Sequence, residues 1–384
     1  MLVAVTARGE CINVLDHRAR DELVALRKQE QFICPSCQQC VRLKIGEKKQ
    51  PHFAHVHLNT CQFTHESLYH MQGKAMLYLW LQQQGYTVEL EKYLPSICRR
   101  PDLFMEESRT AVEFQCSLIT KEQFMKRTES YQKQGVNVVW ILGGNQYKRY
   151  SAHWIRLSSF QAMFSYQNAL FYFCPRLCTF TKCTPLIPFS PTVAFSHSFV
   201  YPLKTSQFSQ LFQPNSMNQQ VLKREWMQKK IRWRTHSLQI FQRGYYTFLQ
   251  KLYTHHIPPS LYPPEAGIPL PSLLSIQTPA IIWQTYILLD VIGPLKKGEY
   301  FSLQQVYNAL KKHMKERTLP YVKTSGKQAV EEYLQFLVSI GMIKHVGVQK
   351  YKKIRNCTVL KTAEEAVLQE EEMIQKALEL FVVT

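Results

Sequence analysis

The stretch RRPDLFMEESRTAVEFQCSLI, residues 99 to 119, decides the fold. Its halves, "RPDLFME" and "TAVEFQCSL", are short runs rich in Phe, Val and Leu on either side of a polar Glu-Glu-Ser-Arg turn, which predicts two adjacent antiparallel strands. A tight turn sets the register, so a side chain near the end of one strand comes within a few ångströms of one on the next. Asp102 and Glu113 are therefore candidates for sharing one divalent cation, and Gln115 faces the same side as Glu113. A hard cation such as Mg²⁺ or Mn²⁺ takes carboxylate oxygens and activates water against a phosphodiester. The competing reading is an ordinary hairpin with exposed polar positions.

Before this hairpin, Leu68, Met71, Ala75, Leu79 and Trp80 recur at helical spacing from Glu66 to a stop at Gly85. Glu66, His70 and Lys74 fall four residues apart and align on one face of that helix. "YTVELEKYL" alternates as a strand does. Residues 120 to 134 read as an amphipathic helix ending at Gly135, with Arg127 and Tyr131 one turn apart as candidates for phosphate contact. "VNVVWILGG" is the continuous apolar run of a buried strand. The predicted order is helix, three strands, helix, strand.

Upstream, "FICPSCQQCVRLKIGEKKQPHFAHVHLNTC" carries Cys34 and Cys37 as a C-x2-C knuckle. His52, His55 and Cys61 follow a turn, so four of these five are predicted to hold a structural Zn²⁺ in a finger-like module. Cys40, His57 and His65 are spare. Residues 1 to 31 read as a lead-in with an alternating apolar start and a charged helix.

Downstream, residues 150 to 220 are rich in Phe, Tyr, Pro and Ser without a sustained period, and are read as short strands and loops. A basic helical stretch from 221 to 255, broken or bent near Gly244, places Trp226 and Trp233 among Lys229, Lys230, Arg232 and other cations. That pattern suits unpaired bases stacked on rings with lysines on phosphates, and equally suits a helix whose tryptophans are core. The Pro-dense "IPPSLYPPEAGIPLP" is read as a linker or surface loop. Beyond it, three helices and a basic ribbon with Lys350 and Lys352 have the order of a winged helix, followed by an acidic amphipathic tail helix. The predicted domains are 1–64, 65–150, 151–270 and 271–384.

Across its 384 residues the chain has a formal charge of +19, which favours a polyanionic partner, DNA first. No signal peptide is legible at the start, and the longest apolar runs are too short and broken to span a bilayer. A soluble, cytoplasmic protein is expected. Eleven cysteines, four of them between 34 and 61, point to a metal site rather than a disulfide framework in a reducing compartment.

With "RPD" opening one strand and "VEFQ" on the next, the αβββαβ core resembles the PD-(D/E)xK nuclease superfamily in an E-x-Q variant. More closely, "CPSCQQCVRLKIGEKKQPHFAH", "ESLYHMQGK", "RPDLFMEESRTAVEFQ" and "KRTESYQKQGVNVVWILG" resemble, in order, the CoiA-like competence protein family. The likeness is close over about residues 1 to 150 and general beyond. It implies an α+β protein with a zinc-finger-like module, a nuclease-like core and a mainly helical C-terminal region, promoting recombination of incoming single-stranded DNA during natural transformation. By the same resemblance, Glu66, Asp102 and Glu113 are the catalytic acids, the last two binding Mg²⁺ or Mn²⁺, and Gln115 replaces the usual lysine. Because a neutral amide stabilises developing negative charge less well, cleavage itself is in question, and Lys74, Arg127 or Lys121 could supply the missing cation. The DNA-binding set read from the sequence is Lys74, Arg127, Lys229, Lys230, Arg232, Trp233, Lys350 and Lys352. Two functions stay open: a Mg²⁺- or Mn²⁺-dependent deoxyribonuclease acting on single-stranded or branched DNA, or an inactive DNA-binding factor assisting a recombinase. A zinc-containing transcription regulator leaves the hairpin acids unexplained.

Overall fold

The computed structural model describes residues 1–16, 19–46, 50–57, 61, 66–317, 319–321 and 324–381. His65 and the middle of the turn between 44 and 51 lie outside the described residues.

The chain opens with β1 (Val3–Thr6), β2 (Cys11–Asn13), α1 (Arg20–Gln29), β3 (Phe32–Ile33), β4 (Cys40–Lys44) and β5 (His52–His55). The strands form one antiparallel sheet ordered β2-β1-β3-β4-β5. The opening residues are thus more than a lead-in: β1 pairs with both β2 and β3, and Met1 to Ala4 are buried.

Next come α2 (Leu68–Gln83), β6 (Val88–Leu90), β7 (Leu103–Met105), β8 (Thr110–Gln115), α3 (Lys121–Lys133) and β9 (Asn137–Gly143), the order read from the sequence. Local chemistry starts and stops each helix. Ser67 caps α2 by accepting the His70 amide at 3.2 Å, and Thr120 with Gln123 forms a reciprocal capping box on α3. Gly85 and Gly135 follow their helices at φ of +84° and +64°, where a Cβ would be strained. β6, β7 and β8 pair antiparallel, and β9 joins β8 in parallel. All six β8 residues are buried, the polar Thr110, Glu113 and Gln115 among them.

β10 (Arg149–Ser151), β11 (Trp154–Arg156), α4 (Ser159–Met163), β12 (Leu170–Cys174), β13 (Thr179–Ser190) and β14 (Val193–Pro202) follow. Where the sequence led us to expect only short strands, β13 has 12 residues and β14 has 10. β13 is mostly buried, so the period-2 alternation that would announce a long strand is missing. The chain divides into two compact units. One unit comprises Met1–Tyr147, Phe171–Lys182 and Phe199–Gln213; the other comprises Lys148–Leu170, Cys183–Ser198 and Pro214–Thr384.

In the second unit the basic helical stretch forms α5 (Gln219–Thr235), α6 (Ser237–Gly244) and α7 (Tyr246–Thr254), with a break near Gly244 as expected and a further one at His236. Trp226 and Trp233 belong to its core, at 0% and 9% exposure, and so do not form a stacking surface for bases. Lys230 is equally inaccessible, its Nζ lying 2.8 Å from Glu370 and donating to the carbonyl of Ala266 at 2.5 Å. The Pro-dense segment is not a linker. Tyr262, Ala266, Ile268 and Leu270 are fully buried, and carbonyls of this strap accept from Trp226, Lys230 and Arg234. Prolines remove backbone donors and leave carbonyls in need of partners, which accounts for cations on the inner face of α5.

The rest contains α8 (Ala280–Tyr286) running into a π-helical turn, β15 (Tyr300–Ser302), α9 (Leu303–Leu310), α10 (Gly326–Ser339), β16 (Ile343–Gly347), β17 (Lys350–Lys353) and the tail helix α11 (Ala363–Leu380). Helix, strand, two helices and a hairpin follow one another here, with the sheet order β15-β17-β16. Among the described residues, no helix is long and apolar enough to cross a membrane.

Candidate nuclease-like and metal sites

The register of the β7–β8 pair joins Leu103 to Val112, so one step outward Asp102 stands opposite Glu113. Asp102 is held at both ends: its carbonyl accepts from the Glu91 amide at 3.0 Å and its Oδ2 accepts from the Phe114 amide at 2.8 Å.

Helix α2 and the residue before its cap bring the second set of groups to Asp102. His70 Nδ1 lies 2.8 Å from Glu66 Oε1, and its Nε2 lies 3.3 Å from Asp102 Oδ2. Glu66, His70 and Asp102 offer ligand atoms all within 4.8 Å of one another, a group that could hold a metal ion. Lys74 Nζ, fully buried, contacts Glu66 and lies 2.6 Å from Glu91 and 3.7 Å from Asp102. It is therefore an internal countercharge and not the surface phosphate contact read from the sequence. Burial alone would lower the His70 imidazole, but the carboxylates of Asp102 and Glu66 outweigh it and push it up to about 9. Burial likewise works against ionisation of Asp102 and Glu66, yet His70 and Lys74 hold both carboxyls below their usual range. With both ring nitrogens facing carboxylates, His70 acts as a cationic clamp, and coordination to a metal would require it to release a proton.

Glu113 is engaged elsewhere. Tyr131 donates its hydroxyl to Glu113 Oε1 at 2.6 Å, and the Arg127 guanidinium pairs with Oε2. Burial and the charge of Asp102 nonetheless push this carboxyl up. The expected pairing of Asp102 with Glu113 thus takes a different form, since the three-ligand group contains Glu66 and His70 with Asp102. Tyr131 is fully buried and is no phosphate contact; Arg127 remains partly exposed and lies 4.9 Å over the Trp140 ring. Gln115 donates to the Ser117 carbonyl at 2.8 Å and accepts weakly from Arg127 at 3.5 Å, so a guanidinium reaches the position next to the neutral amide.

Glu91 was not singled out in the sequence. In "VELE", period-2 alternation puts Glu89 and Glu91 on one solvent face, but Glu91 has φ +51° and turns inward to 2% exposure. Its place at the end of a strand was the one available signal.

In the first sheet, Cys34, Cys37, His55 and Cys61 bring their ligand atoms within 4.8 Å of one another. Cys34 Sγ lies 3.8 Å from Cys61 Sγ, and Cys37 Sγ lies 3.2 Å from His55 Nε2. A tetrahedron with metal–sulfur bonds of about 2.3 Å has an edge of about 3.8 Å, so the donors fit a tetrahedral ion. Of the five residues read from the sequence, His52 falls out. Three positions from His55 on β5, it faces the other side, its Nδ1 2.9 Å from the Gln50 carbonyl. Cys40 is exposed and also lies outside the group.

Of the remaining residues in the DNA-binding set, Arg232 and Lys350 are exposed, Lys229 is half-buried with its Nζ 4.9 Å over the Trp154 ring, and Lys352 is half-buried beside Tyr300.

A mixed β-sheet with helices, an acid-lined cluster at a hairpin and a Cys/His group define an α+β protein of nuclease-like architecture. Family models match along nearly the whole chain: the N-terminal domain of competence protein CoiA over residues 15–64, its nuclease-like domain over 66–216 and its C-terminal domain over 222–367. The chain is also similar to the competence protein CoiA of Bacillus subtilis (strain 168), with 28% identity over 339 residues, covering 84% of this chain and 90% of that one. The chain belongs to the CoiA-like competence protein family. No solved structure matches it significantly.

Proposed function

We propose that this competence protein acts on DNA through the Glu66, His70 and Asp102 cluster as a divalent-cation-dependent phosphodiesterase. The observation that carries this reading is the convergence of three ligand groups within 4.8 Å beside a buried ammonium. A bound Mg²⁺ or Mn²⁺ would supply Lewis-acid stabilisation of charge on a scissile phosphate. The protein's own groups do the rest. Asp102 is fixed by two backbone amides on neighbouring strands, His70 spaces Glu66 from Asp102, and Lys74 and Arg127 bring cations where Gln115 cannot. Incoming single-stranded DNA or recombination intermediates are the substrates that suit the family's role in competence and the excess of basic residues. For the Cys34, Cys37, His55 and Cys61 group we infer zinc, because three thiols and one imidazole are a set that zinc takes in structural sites.

A second reading has its own observation. The Glu113 carboxylate is occupied by Arg127 and Tyr131, and Gln115 is tied to Ser117, as expected of a nuclease-like scaffold kept for binding DNA beside a recombinase. Labelled single-stranded and duplex DNA incubated with Mg²⁺ or Mn²⁺ separates the two. Cleavage that disappears in Asp102→Asn and Glu66→Gln supports hydrolysis at this site. Salt-sensitive binding without cleavage, unchanged in those variants, favours the second reading, and cleavage persisting in both variants refutes hydrolysis here.

A further inference from the structure

The small sheet of the second unit has one covered and one open face. β17 pairs with β15 through Tyr300↔Lys352, Phe301↔Tyr351 and Ser302↔Lys350, and with β16 through Lys344↔Lys352 and His345↔Tyr351. Directly opposed residues share a face, so Phe301 and Tyr351 turn together into the core, at 5% and 2% exposure. Tyr300, Lys352 and Lys344 form a row on the other face, and Lys350, two residues before Lys352, lies on that face as well. Tyr300 is 65% exposed, with Lys352 Nζ 5.5 Å from its ring centroid. The two segments that build this face, "LKKGEYFS" and "KHVGVQKYK", hold five lysines outside the core, Lys296, Lys297, Lys344, Lys350 and Lys352, and one glutamate, Glu299.

An exposed aromatic side chain is poorly used in water unless something flat covers it. Here the surrounding charge excludes another cationic surface and selects an anion. We infer that this sheet face binds single-stranded nucleic acid, with Tyr300 stacking on an unpaired base and Lys344, Lys350 and Lys352 following the phosphates. Every base has a π-face, so such a platform accepts any sequence, whereas the paired bases of a duplex are already stacked and leave the ring unused. Cation–π attraction from Lys352 holds the ring beside the lysine row. The inference rests on the proposed reading only in taking DNA as the ligand. It is independent of the metal cluster and of whether that cluster cleaves.

The test uses the full chain and fluorescence anisotropy with labelled oligo(dT) and a duplex of equal length, without added divalent cation. Tyr300→Ala is expected to weaken oligo(dT) binding by roughly fivefold or more, Tyr300→Trp to retain it, and duplex binding to change little. Combined replacement of Lys344, Lys350 and Lys352 by Ala is expected to flatten the salt dependence of single-strand binding by about 0.7 per lost contact. Thermal melting of each variant checks folding, since all four side chains lie on an open face. Asp102→Asn, measured in parallel, reports separately on whether the metal cluster contributes to oligo(dT) binding. Oligo(dT) affinity unchanged in both Tyr300→Ala and the triple-lysine variant would overturn the proposal and reassign the face to a protein partner. Equal losses for oligo(dT) and duplex in Tyr300→Ala would overturn the stacking role. A loss confined to Asp102→Asn would move single-strand binding to the metal cluster and away from this face.

Discussion

Gly73 in α2 lies directly against the Phe114 ring of β8: a Cβ at position 73 would stand 2.0 Å from Phe114 Cε1. The absence of a side chain lets the helix settle onto the strand, and with it Glu66, His70 and Lys74 reach Asp102. The His70 ring also stacks on Phe114, with centroids 5.6 Å apart.

Gly73→Ala therefore has two opposed effects. Alanine favours a helix interior over glycine by about 1 kcal/mol, while overpacking against a buried ring costs about 1–3 kcal/mol. A net loss of stability is expected in thermal or urea unfolding. A gain would mean that Phe114 turns aside freely and does not set the helix position.

Lys74→Met leaves Glu66 and Glu91, both buried, without their shared ammonium. Removing one partner of a buried ionic group costs about 3–5 kcal/mol. Urea unfolding should register a loss of that order, and Lys74→Met combined with Glu91→Gln should recover part of it, since one stranded charge is gone. No recovery in the double variant would show that Glu91 does not depend on Lys74.

Metal content discriminates among the Cys/His positions. Cys34→Ser, Cys61→Ser and His55→Ala should each lower zinc bound by the purified chain and lower its melting temperature, whereas His52→Ala and Cys40→Ser should leave the metal in place. Elemental analysis of the five variants checks this. Loss of metal from His52→Ala alone would transfer the imidazole ligand to the other face of β5.

Lys230, Arg234 and Glu370 form a buried triad whose carboxylate lies 2.8 Å from Lys230 Nζ and 2.6 Å from the Arg234 guanidinium. Burial, aided by the Arg234 charge, lowers the Lys230 ammonium to about 8 despite Glu370, against 10.5 for an ordinary lysine. Below pH about 8 the lysine is charged in both folded and unfolded chains, and its desolvation cost is fully felt. Between about 8 and 10.5 the unfolded chain holds more protons, so this group's contribution to stability improves as pH rises. The difference in unfolding free energy between the parent and Lys230→Met should accordingly shift in the parent's favour across that window. Glu370→Ala, which strands two buried cations, should cost about 3–5 kcal/mol at neutral pH. A parent-minus-variant difference that does not change with pH would remove Lys230 from the titrating groups.

The nuclease-like core was legible because its elements advertise themselves locally. Ser67 and Thr120 begin helices with capping hydrogen bonds, Gly85 and Gly135 end them, and the Glu-Glu-Ser-Arg turn joins β7 to β8. The strap from 257 to 271 was misread, since composition records that prolines lack donors but not which cations answer their neighbours' carbonyls. β13 was missed for a related reason: a strand covered on both faces loses the alternation by which strands are recognised.

By itself the sequence determined the order of elements from 66 to 143, the spacing that places Glu66, His70 and Lys74 on one helical face, and the Cys/His spacing of the N-terminal sheet, because capping, turn chemistry and periodicity act over a few residues. Only the tertiary structure decided that His55 and not His52 joins the thiols, that Glu91 turns inward, that Glu113 is taken by Arg127 and Tyr131, and that Lys74 and Lys230 are buried ions instead of surface cations. Burial and charge pairing depend on groups that the chain brings together from 14 to 140 positions away, and no local pattern records which neighbour arrives.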